Sequence, residues 1–586
     1  MDIFKVFSMC GGLALFLYGM NVMGDGLKKL GGGKLELILE KLTSNRLMGV
    51  LLGAVVTAVI QSSSATTVMV VGFVNSGIMK LTQSIGVMMG ANIGTTVTAW
   101  ILSLSGVQGD SLLANLVKPE NFTPVLALLG IILLMTSKTD KRTSIGNILI
   151  GFAVLMFGME TMSESVSGLK NSPAFANMLI MFRNPVLGLL VGTILTAIIQ
   201  SSSASVGILQ ALSATGQITF GTAIPILMGQ NIGTCITAMI SCIGASKNAK
   251  RAAIANLYIK IISAVLFMGV FYAINAAINF AFINSTINAF NIAVIHTAFN
   301  VASTLVLLPC SKLIEKLVRL TIKEGAETNA FGVLDDRFLL TPSFAVEQCM
   351  MLATNMAYMV KESFTLAQEC VAKYSEKNDK KIIETERLAD EYEDALGEYL
   401  VRLSEQNLTS ADAKKVSILL HAIADFEKMT DYTADLVFTA REKRDKDVHF
   451  SEKARQEITI MVDAVSEIID LTISAFSNDD VQLANQVEPL EDVIDRLRND
   501  LKNRHIKRMQ EGRCSVNQGF VFTDYITALE KVSDHCANVA AAIIELNDDN
   551  YDIHNVMSHR KSSDEYKKMC VAFSKKYALP FSASAD

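Results

Sequence analysis

The chain has 586 residues, too many for one compact domain, and its net charge of −6 without a basic stripe speaks against nucleic acid as a partner. Nine scattered cysteines with no CxxC pair exclude a disulfide framework and a cysteine zinc site, and read as reduced thiols. The average composition conceals a split. Residues from about 8 to 309 are apolar with charges in short connectors, whereas residues from 311 onward are rich in Glu, Asp, Lys and Arg at helical spacing. A membrane part followed by a soluble domain is expected, since several apolar stretches are long enough to cross a hydrocarbon core of about 30 Å.

In chain order, "MDIFKVFSMCGGLALFLYGM" lacks a small-x-small cleavage site and is expected as a retained first span, roughly 8–25. Segment 46–79 carries "AVIQSSSATTVM" (Ala58–Met69) at its middle, an amide and hydroxyls inside lipid-soluble text. It is expected to be a re-entrant hairpin that enters and leaves by one face. Spans at roughly 83–105 and 123–137 follow.

The pattern then returns. "IQSSSA" begins at Ile60 and Ile199, "NIGT" at Asn92 and Asn231, and "YGM" at Tyr18 matches "FGM" at Phe157, each pair separated by 139 residues. Small residues where transmembrane helices pack explain one such cluster, but not three in one register. The first copy (about 8–137) crosses three times, so the second (about 146–280) starts on the opposite side. That makes an inverted repeat, followed by a final span at roughly 288–309.

Basic residues give the sidedness. Lys28, Lys29, Lys34, Lys41, Arg46, Lys80, Lys138, Lys141, Arg142, Lys247, Lys250 and Arg251 fall on the side of the soluble domain. Lys5, Lys118, Lys170 and Arg183 fall on the other. A cytoplasmic C-terminal domain and an external N-terminus are expected, with the two hairpins entering from opposite faces and meeting near the middle.

A hairpin tip inside a membrane leaves backbone groups that lipid cannot satisfy, so it must face protein or a wet cavity. Half-helices beginning near Ser62–Ser64 and Ser201–Ser203 would aim free N–H groups and positive dipole ends there, with Gln61 and Gln200 adding donors. Two such tips make a site for an anion. "GANIGTTVTA" (Gly90–Ala99) and "GQNIGTCITA" (Gly229–Ala238) look like second interrupted helices beside them. No Asp, Glu, Lys or Arg lies in these motifs, so co-bound cations such as Na⁺ are the simplest source of compensating charge. Lys260 and His296 lie inside apolar text and read equally as functional, interfacial or carbonyl-paired.

The doubled Q-S-S-S with paired N-I-G-T, over roughly residues 5–310, resembles the type II sodium–phosphate cotransporter family. The resemblance implies Na⁺-coupled phosphate symport by alternating access, with no other cofactor required. On matching positions it implies phosphate and Na⁺ binding by Gln61, Ser62, Ser63, Ser64, Gln200, Ser201, Ser202 and Ser203. Weaker assignments fall on Thr66, Asn92, Thr95, Asn231 and Thr234. Bacterial relatives place such a protein in the inner membrane, and "VLDDRFLLTPSFA" (Val333–Ala345) resembles the linker of bacterial members. A cation-coupled transporter of another oxyanion or carboxylate and a membrane-anchored phosphate sensor are the alternatives. No P-loop, HExxH or Ser-His-Asp set supports an enzyme.

The whole is expected to be all-α, with a transport domain over 1–310, a linker over 311–344, a helical domain over 345–550 and a tail over 551–586. The helical domain has its own repeat. Glu386 and Asp390 correspond to Glu491 and Asp495, and Glu427 and Asp431 to Glu530 and Asp534, each pair on one helix face. "DFEKMTDYTADL" (Asp425–Leu436) resembles the D-x-E-[RK]-x-x-D pattern of PhoU regulators, which are pairs of three-helix bundles. It implies a regulatory domain with a divalent cation or iron at these acidic positions, Asp425 included. The second copy departs from the pattern at Ala528. A homodimer is one option for the assembly.

Overall fold

The computed structural model describes residues 3–31, 45–106, 118–137, 139–171, 175, 181–182, 184–243, 245–323, 334–547, 561 and 563–580. Lys34, Lys41, Lys138, Arg183, Val333, the Lys170 side chain and residues 551–560, 562 and 581–586 of the expected tail lie outside them. The chain divides into two compact units, Met1–Phe344 and Ala345–Asp586.

The first unit is helical. Its first half contains α1 (Ile3–Gly31), α2 (Arg46–Ile60), α3 (Ser63–Asn75), α4 (Leu81–Gly94), α5 (Thr96–Ser103) and α6 (Pro119–Thr136). Its second half contains α7 (Asp140–Ser167), α8 (Pro185–Ile199), α9 (Ser202–Ser213), α10 (Phe220–Gly233), α11 (Cys235–Ser241) and α12 (Lys247–Ile278). Helices α13 (Ala289–Leu307) and α14 (Ser311–Thr321) follow. The two halves match in detail. Asn45 and Asn184, 139 residues apart, cap α2 and α8 by accepting from backbone N–H groups of the next turn.

Among the described residues, seven helical stretches are long and apolar enough to cross a membrane: Ile3–Gly31, Leu81–Gly106, Pro119–Thr136, Asp140–Ser167, Phe220–Ser241, Lys247–Ile278 and Ala289–Leu307. These coincide with the seven spans read from the sequence. Their burial sorts them. Leu81–Gly106 and Phe220–Ser241 are each 72% buried and form the inner wall, while Pro119–Thr136 and Lys247–Ile278 are 11% buried. The outer helices expose large apolar side chains such as Leu128, Met135 and Val265, as lipid contact requires.

The inversion is visible where α1 meets α7. A Cβ on Gly12 would lie 2.9 Å from the Gly158 carbonyl oxygen, and one on Gly19 would lie 2.6 Å from that of Gly151. Moving seven residues up α1 moves seven down α7, so the two opening helices of the halves run antiparallel.

Segment 334–344, expected within a linker, packs on the first hairpin. Phe338 and Phe344 lie 5.5 and 5.0 Å from the Phe73 ring, and Asn75 donates to Asp335 at 2.7 Å. Lys28 and Lys29, counted as connector charges, fall in the last turn of α1.

The second unit holds α15 (Pro342–Ala372, which begins at the boundary), α16 (Glu376–Ser404), α17 (Ser410–Asp445), α18 (Glu452–Asn478), α19 (Val481–Gln510), α20 (Val516–Asn547) and the short α21 (Asp564–Lys576). The six long helices form two three-helix sets, with α17 of one packed on α20 of the other.

Candidate functional site: two helix breaks around one cavity

Each hairpin breaks over two residues. Gln61 and Gln200 adopt the left-handed backbone conformation, φ 58° and 59°, and donate their N–H groups back to Thr57 and Thr196 at 2.8 and 2.7 Å. A non-glycine residue held there costs about 1–2 kcal/mol, so the packing around both tips over-determines the turn. Ser62 and Ser201 then cap α3 and α9, their hydroxyls accepting from the Ala65 and Ala204 N–H groups at 3.2 Å. The cap leaves the remaining first-turn N–H groups of each half-helix at the tip.

The tips share one cavity of about 200 Å³, lined by Gln61, Ser62, Ser63 and Ser64 from one side and Gln200, Ser201, Ser202 and Ser203 from the other. Eight of the thirteen expected residues are thus brought together. The sequence reading missed the third wall, supplied by Asn21, Gly24, Asp25 and Lys28 of α1. Lys28 and Asp25 pair at 3.5 Å while both border the cavity. The pair brings an ammonium and a carboxylate to the cavity wall together, so Lys28 is a cation there whose charge Asp25 offsets.

The two glutamines differ. The Gln61 side chain is 8% exposed and folds back, its amide donating to the Ala58 carbonyl and its oxygen accepting from the Thr98 hydroxyl at 2.9 Å. Gln200 is exposed. Gln61 therefore spends its side chain on holding the tip.

Thr66, Asn92, Thr95, Asn231 and Thr234 are not among the residues lining this cavity. Thr66 accepts from Thr57 at 3.1 Å and donates to the Ser62 carbonyl at 3.0 Å, bracing the first tip from behind. Thr95 donates to the Ala91 carbonyl at 2.8 Å. Asn231 donates to Asn300 at 3.5 Å, and Thr234 donates to the Asn231 carbonyl at 2.7 Å.

The second interruptions expected at N-I-G-T are slight. Thr95 (φ −60°, ψ −27°) and Thr234 (φ −65°, ψ −17°) keep helical backbone angles, so the hydrogen-bond pattern lapses for one residue without breaking the span. The glycines serve close packing instead. A Cβ on Gly90 or Gly229 would lie 2.0 Å from the Val50 or Leu189 carbonyl oxygen, which brings α4 onto α2 and α10 onto α8.

Among the described residues no group of three or more His, Cys, Asp or Glu side chains could hold a metal ion. The chain's own cations take the carboxylates. Lys428 contacts Glu427 and Asp431 at 3.0 and 2.8 Å, Lys531 contacts Asp534 at 2.6 Å, and Arg498 contacts Glu530 at 2.8 Å and Asp495 at 3.9 Å. Asp425 reaches across to α20, to His535 Nδ1 at 2.8 Å and the Asn538 amide at 3.1 Å. Acidic faces still meet. Burial and then Asp431 and Asp390 raise the Glu386 carboxyl, while burial, Asp492 and Asp534 push Glu491 up to about 7.

Two antiparallel half-units, each folding a broken hairpin toward one donor-lined cavity, define a polytopic membrane transporter built from inverted repeats, followed in the chain by a helical domain of two bundles. The sequence agrees: the chain belongs to the Na⁺/Pi-cotransporter family, whose model matches residues 15–164 and 155–292, and carries a PhoU domain matched at 353–438 and 458–543. It is 30% identical over 311 residues to "Uncharacterized protein YqeW" of Bacillus subtilis, covering 53% of this chain and 96% of that one. It is 21% identical over 551 residues to "Putative inorganic phosphate export protein YjbB" of Salmonella typhimurium, covering 91% and 96%. Over 103 residues it is 38% identical to "Sodium-dependent phosphate transport protein 2A" of Rattus norvegicus, covering 17% and 16%. The crystal structure of the phosphate transport system regulatory protein PhoU from Streptococcus pneumoniae aligns with a TM-score of 0.33 at 18% identity, covering 36% of this chain and 99% of that one.

Proposed function

We propose that the chain is a sodium-coupled inorganic phosphate symporter working by alternating access, with its carboxyl-terminal unit as a cytoplasmic regulator. The observation that carries this reading is the meeting of both Q-S-S-S tips at one cavity. Helices α3 and α9 start there, and each N-terminus contributes partial positive charge of about +0.5 beside the Lys28 ammonium. First-turn N–H groups and the hydroxyls of Ser62, Ser63, Ser64, Ser201, Ser202 and Ser203 suit the oxygens of a phosphate anion. Hydroxyl, amide and carbonyl oxygens at Gln200, Thr66, Asn92, Thr95 and Asn231, with the Gln61 main-chain carbonyl, are hard, neutral ligands for Na⁺, which offsets the remaining anionic charge, while the Thr234 hydroxyl meets the Lys260 ammonium.

In this reading residues 1–310 transport, 311–344 connect and 345–550 regulate, in a bacterial inner membrane with the N-terminus external. Net direction follows the summed phosphate and Na⁺ gradients.

The test is ³²P-phosphate uptake by the purified chain in proteoliposomes under an inward Na⁺ gradient, against K⁺ as control. Na⁺-dependent uptake is expected, falling tenfold or more in Ser62→Ala and in Ser201→Ala with normal elution. Flux indifferent to Na⁺, or full flux in both variants, overturns the proposal.

A further inference from the structure

We infer that Lys260 is a tethered cation: in the second repeat its ammonium occupies the place a free coupling ion would otherwise take. This rests on the sodium-coupled reading above and bears on how many ions that mechanism moves.

Lys260 on α12 is 5% exposed, and its one hydrogen bond among the described residues goes to the Thr234 hydroxyl oxygen. Thr234 spends its own proton on the Asn231 carbonyl at 2.7 Å, so its lone pairs face the ammonium. A hydroxyl in that state is a hard oxygen ligand, and those lone pairs are the ones Na⁺ would use. Other buried polar groups stand on the same two helices. Asn256 stands four residues before Lys260 on α12, His296 stands four before Asn300 on α13, and all are buried. The Asn256 side-chain oxygen and His296 Nδ1 have no partner among the described residues.

Among the described residues no carboxylate pairs with this charge. Helix α12 packs on α3, α4, α10, α11, α13 and α14. The first five carry no Asp or Glu, nor does α12 itself, and Glu315 of α14 pairs with Arg319 at 3.0 Å. An uncompensated buried ammonium is costly, and ionisable groups retained inside membranes mark ion paths. The first repeat differs at the same register. Thr95 also donates to a carbonyl, that of Ala91, and is 7% exposed, but no lysine donates to it among the described residues. The Thr95 side takes a free Na⁺, and the Thr234 side carries its own cation.

The experiment uses the full chain in proteoliposomes and reads the Na⁺-to-phosphate ratio from the null-flux condition at set gradients. Lys260→Gln removes the charge and leaves an oxygen ligand, so one more Na⁺ moves per phosphate and the Na⁺ activation curve steepens. Lys260→Arg keeps the wild-type ratio. A Lys260→Gln ratio equal to wild type overturns the inference, because a mere structural pin would lower thermal stability without moving that ratio. If Lys260→Gln carries no flux, ²²Na⁺ binding to the detergent-purified variant decides: one additional ion per chain supports the inference and an unchanged count overturns it. Lys260→Asn replaces it in both assays if the Gln variant does not purify. A wild-type chain without Na⁺-dependent phosphate flux overturns the parent reading instead, before any variant is made.

Discussion

Thr98 donates its hydroxyl proton to the Gln61 side-chain oxygen at 2.9 Å, fastening the first hairpin tip to the inner helix α5. At the corresponding place in the second half, Thr237 donates to the Thr234 carbonyl at 3.0 Å and leaves Gln200 alone. The Gln61 side chain is therefore tied to an inner helix by Thr98, and the Gln200 side chain is not tied by Thr237.

Thr98→Val keeps the shape and removes the donor, leaving a buried acceptor unsatisfied at a cost of about 1–3 kcal/mol. Its melting temperature should fall and its phosphate flux drop several-fold. Thr237→Val, with no tie to Gln200 to lose, should leave flux within about twofold. Equal losses in the two variants would contradict the asymmetry.

Lys28 and Asp25 set the charge of the cavity's third wall. Replacing Lys28 by Gln should raise the half-saturating phosphate concentration about tenfold, which is about 1.4 kcal/mol, while maximal flux stays within a few-fold. Because the pair is partly exposed, the effect should shrink as ionic strength rises. Concentration dependence of ³²P flux at two salt concentrations measures both.

Gly90 and Gly229 should tolerate no side chain. A methyl group 2.0 Å from a helix carbonyl forces the two helices apart, at about 1–3 kcal/mol or more per site. Gly90→Ala and Gly229→Ala should each lower the yield of monodisperse protein and its melting temperature. Gly11→Ala, where nothing lies within 4 Å, should leave both unchanged.

Glu491 should make the carboxyl-terminal unit pH-sensitive. Burial, then Asp492 and Asp534, raise its folded pKa from the usual carboxyl range to about 7. The folded state thus holds a proton that the unfolded state releases. This contribution is fully present below about pH 4.5 and is lost as pH rises toward 7. Glu491→Gln should flatten that decline. Melting curves of the detergent-purified chain at pH 5 and 8 read the difference, and parallel pH slopes for wild type and variant would refute it.

Much of this was legible in the sequence because a repeat in fixed register carries its own check. The break at Gln61–Ser62 followed from hydroxyls in apolar text, and its twin at Gln200–Ser201 followed from register alone. Lys28 stayed hidden because it lies at the end of an apolar helix, where sidedness rules already explained it. Its i,i+3 spacing from Asp25 was the available signal. The cations of the tail were passed over for a related reason. Pairing carboxylates by i,i+4 spacing passed over Lys428 and Lys531, which stand one residue after Glu427 and Glu530 and supply the cation that a metal was expected to bring. The N-I-G-T glycines looked like breakers because sequence does not reveal how near the next backbone runs.

The crosswise contacts of Gly12 with Gly158 and Gly19 with Gly151 have an ancestral consequence. Gly151 and Gly158 are the register twins of Gly12 and Gly19, so the seam is a surface matched to its own upside-down copy. A half-length polypeptide inserted both ways up would meet itself along that same line. Fusing two such genes would then have locked in a partnership that already fitted.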